Sequence, residues 1–429
     1  MTLKRRDFLK LAGIGAGAAV AGSTLPGVAG AAVTHPIPEI LGSSKGKRLV
    51  VLGASFGGIN TALAVHKAVP DAEIVLIDKA PYFVSCPATM EYLFGMVSLD
   101  KITRGYASLQ AKGFKMVRAD ILAVDRGGKR VVTSAGAVSY DALLVSTGIR
   151  LAYEEVPGLM DKPEANLCMY DKGAPMIDLH HKIAAFKGGT VVVNAPAGPY
   201  KCPPGPYEYA LLWAAHIKKN KLKAKVHMVD PGAKPIPPGV AAGFLKAIEA
   251  NKDVLEYVPI TKILSVNAKD SAIETEAGKV KYDLLSIIPP NKTMGFIKEA
   301  GLGDPFIAVD PVSFRSKADE RVYALGDNAA TPYSKSAYTA AQSAKIAGAF
   351  IAQGFGAKVS DPGAPHNICY PLVSMDSAIM VRADWSHGKD KDGKPVVNTK
   401  GASDNDAKAQ LLMLRREWEK GLLREMFGA

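Results

Sequence analysis

The stretch Arg48-Leu49-Val50-Val51-Leu52-Gly53-Ala54-Ser55-Phe56-Gly57-Gly58 decides how this chain is read. An unbroken apolar run, Leu49 to Leu52, is the pattern of a strand buried on both faces. A turn of small residues follows, and then a helical stretch, Ile59 to Val69. A second strand, Glu73-Ile74-Val75-Leu76-Ile77, ends on Asp78, about 20 residues past the last glycine. Strand, turn, helix, strand and acid in that order make a dinucleotide site. Bare amides and the helix N-terminus face a pyrophosphate, and the acid accepts ribose hydroxyls. Gly53, Ser55, Phe56, Gly57, Gly58, Asp78 and the adjoining Lys79 are the candidate contacts. Ser55 stands where the pattern usually has its second glycine, and it is small enough to let a phosphate approach.

Two later segments choose among dinucleotides. Tyr140-Asp141-Ala142-Leu143-Leu144-Val145-Ser146-Thr147-Gly148 resembles the strand and turn that close the nucleotide domain of two-dinucleotide-domain flavoproteins, which makes Thr147 and Gly148 candidate contacts. Arg321-Val322-Tyr323-Ala324-Leu325-Gly326-Asp327-Asn328 resembles their late motif, where an Asp meets the ribityl chain, and adds Gly326 and Asp327. The order of the three segments implies FAD at this site. In the centre of the chain, Thr190 to Val193 opens a second βαβ unit and Lys225 to Asp230 supplies its next strand. Between them lies Ala195-Pro196-Ala197-Gly198-Pro199, with prolines where a pyrophosphate needs amides, so no pyridine nucleotide is expected there. The expected fold is α/β: two Rossmann-like dinucleotide domains of the glutathione-reductase type and a C-terminal α+β domain. The FAD domain is expected to be split over 45–155 and 290–358, the second domain to span 156–289 and carry Cys202, and the last to span 359–429 and carry Cys369.

At 429 residues the chain is too long for one hydrophobic core. Arg5-Arg6-Asp7-Phe8-Leu9-Lys10 precedes an Ala/Gly-rich apolar run and the small residues Ala29-Gly30-Ala31. Residues 1–31 thus read as a twin-arginine export signal cleaved near Ala31, and the product is expected in an oxidising compartment, the periplasm. Lys4, Arg5, Arg6 and Lys10 against Asp7 account for three of the +12 formal charges, leaving +9. That surplus suits an acidic partner or an anionic substrate. Its lysines, such as Lys218, Lys219, Lys221, Lys223 and Lys225, lack the interleaved aromatics of a nucleic-acid platform. No later segment is long and apolar enough to span a bilayer, so no integral span is expected in the mature chain. No cysteine or histidine pair has zinc spacing, His180-His181 included, and there is no Cys-x-x-Cys-His for a haem of its own.

The run Cys202-Pro203-Pro204-Gly205-Pro206-Tyr207-Glu208, with Ile288-Pro289-Pro290, Lys335-Ser336-Ala337-Tyr338 and Asn367-Ile368-Cys369-Tyr370, closely resembles the flavoprotein subunit of flavocytochrome c sulfide dehydrogenase. The resemblance implies that Cys202 and Cys369 form a redox disulfide beside the flavin, and that Cys86 holds FAD covalently at its 8α-methyl. It also implies oxidation of sulfide to sulfane sulfur or polysulfide, with electrons leaving FAD for a separate c-type cytochrome subunit that carries the haem. Glu208, at a predicted helix start, is the candidate for proton transfer, and Lys335 would bring positive charge to the flavin from the foot of a helix over Ser336 to Phe350. The helix N-terminus near Tyr207 is expected to lower the thiolate pKa of Cys202. Cys168 matches no motif and reads as a packing residue. Leu411, Leu414, Trp418, Leu422 and Met426 fall at helical spacing and predict an amphipathic C-terminal helix over Ala407 to Phe427. Three other readings share these residues: a membrane-associated sulfide:quinone oxidoreductase, an NAD(P)H-dependent disulfide reductase, and a non-catalytic sulfane-sulfur carrier.

Overall fold

A computed structural model of the protein describes residues 37–428, so the export signal and its cleavage site lie outside the described residues. The chain begins with β1 (Arg48–Leu52), α1 (Phe56–Ala68) and β2 (Glu73–Ile77), passes through the short helix α2 (Thr89–Leu93), and adds β3 (Lys115–Val117) and β4 (Ala142–Val145). It then leaves to build β5 (Gly188–Asn194), α3 (Gly205–Lys219), β6 (Lys223–Val229), β7 (Leu255–Val258) and β8 (Leu284–Ser286). It returns as β9 (Val322–Ala324) and α4 (Ala337–Gly354), and closes with β10 (His366–Cys369), β11 (Ala378–Lys389), β12 (Pro395–Lys408) and α5 (Ala409–Phe427).

The first sheet has the order β9-β4-β1-β2-β3 and the second β7-β6-β5-β8, both parallel throughout. In the first, Leu49, Val50, Val51 and Leu52 are fully buried because helices and connecting segments cover both faces. Each sheet has an antiparallel three-stranded meander beside it, at 121–139 in the crossover to β4 and at 263–281 in the crossover to β8. Two parallel sheets in this arrangement bring the carboxyl ends of β1, β4 and β9, where ligands bind in open α/β sheets, next to the loop after β5.

The last three strands form an antiparallel sheet in order β10-β11-β12, and α5 then runs back across the molecule. Leu411 and Leu412 enter the core of the second domain, while Leu422, Leu423 and Met426 enter that of the first. This single helix therefore ties both domains together. The expected apolar stripe is corrected at one position: Leu414 is 44% exposed. The buried face leans toward Leu412 and Leu423, which turns Leu414 outward, and the buried residue at its side is Arg415. Two helix starts also move. The first helix begins at Phe56 rather than Ile59, and Ser336 caps α4 by accepting the Thr339 amide instead of lying in its first turn.

Candidate functional site

The turn after β1 is shaped by close packing. A Cβ on Gly58 would lie 1.9 Å from the Gly53 carbonyl oxygen, and one on Gly57 would lie 2.3 Å from Ser146 Oγ. Only glycine lets α1 start this close to the strands. Ser55 is extended, with φ −124°, a conformation any residue adopts, which is why serine is tolerated there. The first turn of α1, opened by Phe56, holds no acidic side chain and its N-cap makes no side-chain bond, so its amides remain available to an anion. Asp78 accepts the Ala54 amide at 2.8 Å with one oxygen and the Ala80 amide at 2.9 Å with the other, which fixes the carboxylate at the strand end. Lys79 is exposed and pairs with Asp120 at 3.8 Å; it does not line the cleft described next.

A cleft runs between the domains. The first domain contributes Cys86, Asp327 and Lys335 to its wall, the second Lys172, Lys201, Cys202 and Glu208, and the C-terminal segment Cys369 and Arg415. The structure therefore gathers three of the four cysteines and the candidate acid in one space. All four cysteines are free thiols, and Cys168 is buried in the core of the second domain.

Cys202 is held firmly. Its amide donates to the Lys335 carbonyl at 2.6 Å, its own carbonyl accepts from the Tyr170 hydroxyl at 2.9 Å, and its φ of +49° lies in the left-handed region that costs a non-glycine residue about 1–3 kcal/mol. The expected lowering of its thiol pKa is not found. Burial pushes the Cys202 thiol well up, and the neighbouring Cys369 and Glu208 add to the effect. The N-terminus of α3 does not offset this desolvation. Burial likewise raises the Cys369 thiol to about 12, against the pull of Arg415. Cys86 is open to the cleft, yet crowding by protein atoms raises its thiol too.

Glu208 sits in the first turn of α3 and is 3% exposed. Its Oε1 lies 2.9 Å from an Arg415 nitrogen, close enough for an ion pair but not aligned as a hydrogen bond. Burial raises its carboxyl to about 7, with Arg415 pulling down and Glu91 pushing up. The Lys335 ammonium donates to the carbonyls of Asp327 and Ala329, both at 2.8 Å, and lies 4.1 Å from the Phe306 ring centre. Burial lowers its pKa to about 8.

Arg415, Lys201 and Lys172 escaped the reading of the sequence. Lys201 immediately precedes Cys202, and its ammonium lies over the Tyr170 ring at 4.6 Å. Arg415 had a readable signal: it lies four residues after Leu411 and three before Trp418, on the apolar stripe itself.

The second domain closes the place where a nucleotide would bind. Asp230, at the end of β6, is 2% exposed and accepts the hydroxyls of Tyr207 and Tyr257, each at 2.7 Å, and the Gly232 amide at 2.7 Å. The wall beside it is Asn194, Ala195, Pro196 and Ala197. With Oδ2 taken by both tyrosines, Oδ1 by an amide and the side chain buried, this acid is not presented to a ribose.

At the first site the residues present fit FAD. The turn amides suit its pyrophosphate and Asp78 its ribose. Thr147 Oγ1, next to Gly148 at the end of β4, and Asn328 Oδ1, after Gly326 and Asp327 at the end of β9, are buried without a protein partner. Among the described residues no group of side chains could hold a metal ion, and no helix is long and apolar enough to cross a membrane.

Two parallel-sheet nucleotide-type domains around a thiol-lined cleft define the two-dinucleotide-domain flavoprotein architecture. Residues 177–289 match the family model described as the central part of the sulfide dehydrogenase [flavocytochrome c] flavoprotein chain. The mitochondrial sulfide:quinone oxidoreductase of Dictyostelium discoideum is 25% identical over 375 residues, covering 82% of each chain. The sulfide-quinone reductase of Aquifex aeolicus is 26% identical over 244 residues, 56% of this chain and 55% of that one. The crystal structure of the sulfide:quinone oxidoreductase from Aquifex aeolicus superposes with a TM-score of 0.72 at 17% identity, covering 89% of this chain and 92% of the other. Sequence and fold together relate the chain to the sulfide:quinone oxidoreductases and to the flavoprotein of flavocytochrome c sulfide dehydrogenase.

Proposed function

We propose that the protein is an FAD-dependent sulfide dehydrogenase that oxidises sulfide to sulfane sulfur through Cys202 and Cys369. The observation that carries this reading is the convergence of Cys202, Cys369, Cys86 and Glu208 on one cleft, while Asp230 is taken up by two tyrosines in the other domain. In the oxidised enzyme the two cysteines form a disulfide. Hydrosulfide attacks one of its sulfurs, the S–S bond breaks, and a persulfide forms on one cysteine with a thiolate on the other. Lys172, Lys201 and Arg415 give the cleft the positive potential that draws in an anion. Glu208, with a carboxyl near 7, takes the proton that hydrosulfide releases as its sulfur is oxidised. When bound, FAD would supply the two-electron acceptor that this chemistry needs.

FAD is held at the first site and bonded through Cys86, whose thiol opens on the cleft. The acceptor is a separate c-type cytochrome subunit, and the enzyme works in the periplasm after twin-arginine export; the match of residues 177–289 and the leader motif support these two points. Quinone as acceptor is the second reading. It is favoured by the named relatives and by Met413 and Leu414, which are 67% and 44% exposed on α5.

The deciding experiment is an anaerobic visible spectrum of the flavin-loaded protein with sulfide added, and with NADH added in parallel. Sulfide should bleach the flavin and NADH should not; bleaching by NADH alone, or by neither, sinks the proposal. Reoxidation by a c-type cytochrome against a short-chain quinone separates the acceptors. Flavin that stays on the acid-denatured chain, and leaves it in Cys86→Ser, tests the covalent bond.

A further inference from the structure

Arg415 has a set of contacts that no part of the proposed reaction uses. One nitrogen donates to the Tyr370 carbonyl at 2.7 Å, the residue after Cys369. Another donates to the Pro87 carbonyl at 2.6 Å, the residue after Cys86, and lies 2.9 Å from Glu208. The third nitrogen, Nε, faces Glu91 at 3.4 Å. The side chain is 4% exposed and comes from α5, the helix that crosses both domains. A single planar group thus touches the segment carrying each of two cysteines and the acid beside the third.

We infer that Arg415 is the positioning residue of this cleft: its guanidinium fixes the Cys86 loop, the Cys369 strand and Glu208 as one unit and keeps Glu208 able to ionise. The inference rests on the sulfide-oxidation reading for its kinetic consequence, but not for its electrostatic one.

The charge balance supports it. The groups facing Glu208 are Arg415 from α5, Glu91 from α2, the Leu372 amide, Cys202, Cys369 and Tyr170. Glu91 has a second cation, Arg416, at 2.9 Å, and that arginine is half-exposed. Arg415 is therefore the one cation paired with Glu208 among the described residues. A buried carboxylate without its cation takes up a proton. Lysine in its place keeps the charge but lacks the planar fork, so one ammonium cannot serve the Tyr370 carbonyl, the Pro87 carbonyl and Glu208 at their separate positions.

The test uses the flavin-loaded full chain with Arg415→Met and Arg415→Lys. The first measurement is the protonation midpoint of Glu208, followed by its carboxyl infrared band and assigned by the loss of that band in Glu208→Gln. Arg415→Met should raise the midpoint by about one to three pH units, and Arg415→Lys should leave it near the native value. The second is the rate of flavin reduction by sulfide, which Arg415→Lys should slow by about tenfold or more through misplacement of the reacting groups. An unchanged midpoint in Arg415→Met, or a native rate in Arg415→Lys, overturns the inference. If Arg415→Met does not fold, the lysine variant decides by its rate. If sulfide fails to reduce the flavin of the native protein, the functional reading falls, and the infrared titration still judges the coupling of Arg415 to Glu208.

Discussion

The Cys202 amide donates to the Lys335 carbonyl at 2.6 Å, which joins a residue whose thiol lines the cleft from the second domain, backbone to backbone, to the one with a buried ammonium in the first. Lys335 is thereby fixed at the cleft wall, and among the described residues its charge has two carbonyls and no carboxylate within hydrogen-bond reach. Its folded pKa of about 8 lies below the ordinary 10.5, so the charge is present below pH 8 and lost above it. Lys335→Met should lower the midpoint potential of the bound flavin by about 30–60 mV, the equivalent of one to two charged contacts to its reduced form. The difference should be seen in titrations well below pH 8 and fade well above it.

Glu208 gives the reaction a pH profile of definite sign. A base whose carboxyl titrates near 7 is active when ionised, so flavin reduction by sulfide should rise with pH through about 7. Glu208→Gln should slow it by about 100-fold or more and remove that rise, as stopped-flow rates across the range will show. The folded pKa is raised above the ordinary 4.5, so across the window from 4.5 to about 7 the native state holds a proton that the unfolded chain has released. Stability therefore falls as pH rises through that window, and Glu208→Gln should flatten this part of the profile.

The glycine turn distinguishes positions that look alike in sequence. Ser55→Gly should keep its flavin, because the extended backbone at that position already clears the site. Gly57→Ala puts a methyl group 2.3 Å from Ser146 Oγ and 2.4 Å from Leu325 Cδ1, so it should displace α1 and lose flavin. The ratio of flavin to protein absorbance after purification separates the two outcomes.

Asp230 is a structural anchor. Asp230→Ala leaves the hydroxyls of Tyr207 and Tyr257 without their acceptor inside the protein and should cost about 2–4 kcal/mol, read from the shift of the denaturant midpoint. It should not make NADH a reductant of the flavin, since Pro196 still occupies the turn.

The first strands were legible because their signal is local. A fully buried parallel strand is a continuous apolar run, and Arg48–Leu52 and Glu73–Ile77 appear residue for residue where the pattern put them. The proline-filled turn was readable for the same reason, since proline removes an amide wherever it stands. What stayed hidden depends on neighbours remote in sequence. Arg415 stands 207 residues from Glu208 along the chain (415 − 208), and only the path of α5 makes them neighbours. The Cys202 thiol was expected to be acidified by a helix that begins three residues later, a local argument, but burial among neighbours remote in sequence, Tyr170, Lys335 and Cys369 among them, opposes it. Lys79 follows Asp78 in sequence and still turns to Asp120, because successive residues beyond a strand end need not face the same way.

The bonds at Asp230 make two capacities mutually exclusive. Tyr207, which binds the acid, is the residue immediately before Glu208 on α3. Turning Asp230 outward to greet a ribose would release the tyrosine and loosen the first turn of the helix that carries Glu208, the proposed proton acceptor. In this architecture a gain of nicotinamide recognition would come with the loss of sulfur chemistry, so conversion to a pyridine-nucleotide enzyme would require rebuilding the start of α3 as well as the loop before it.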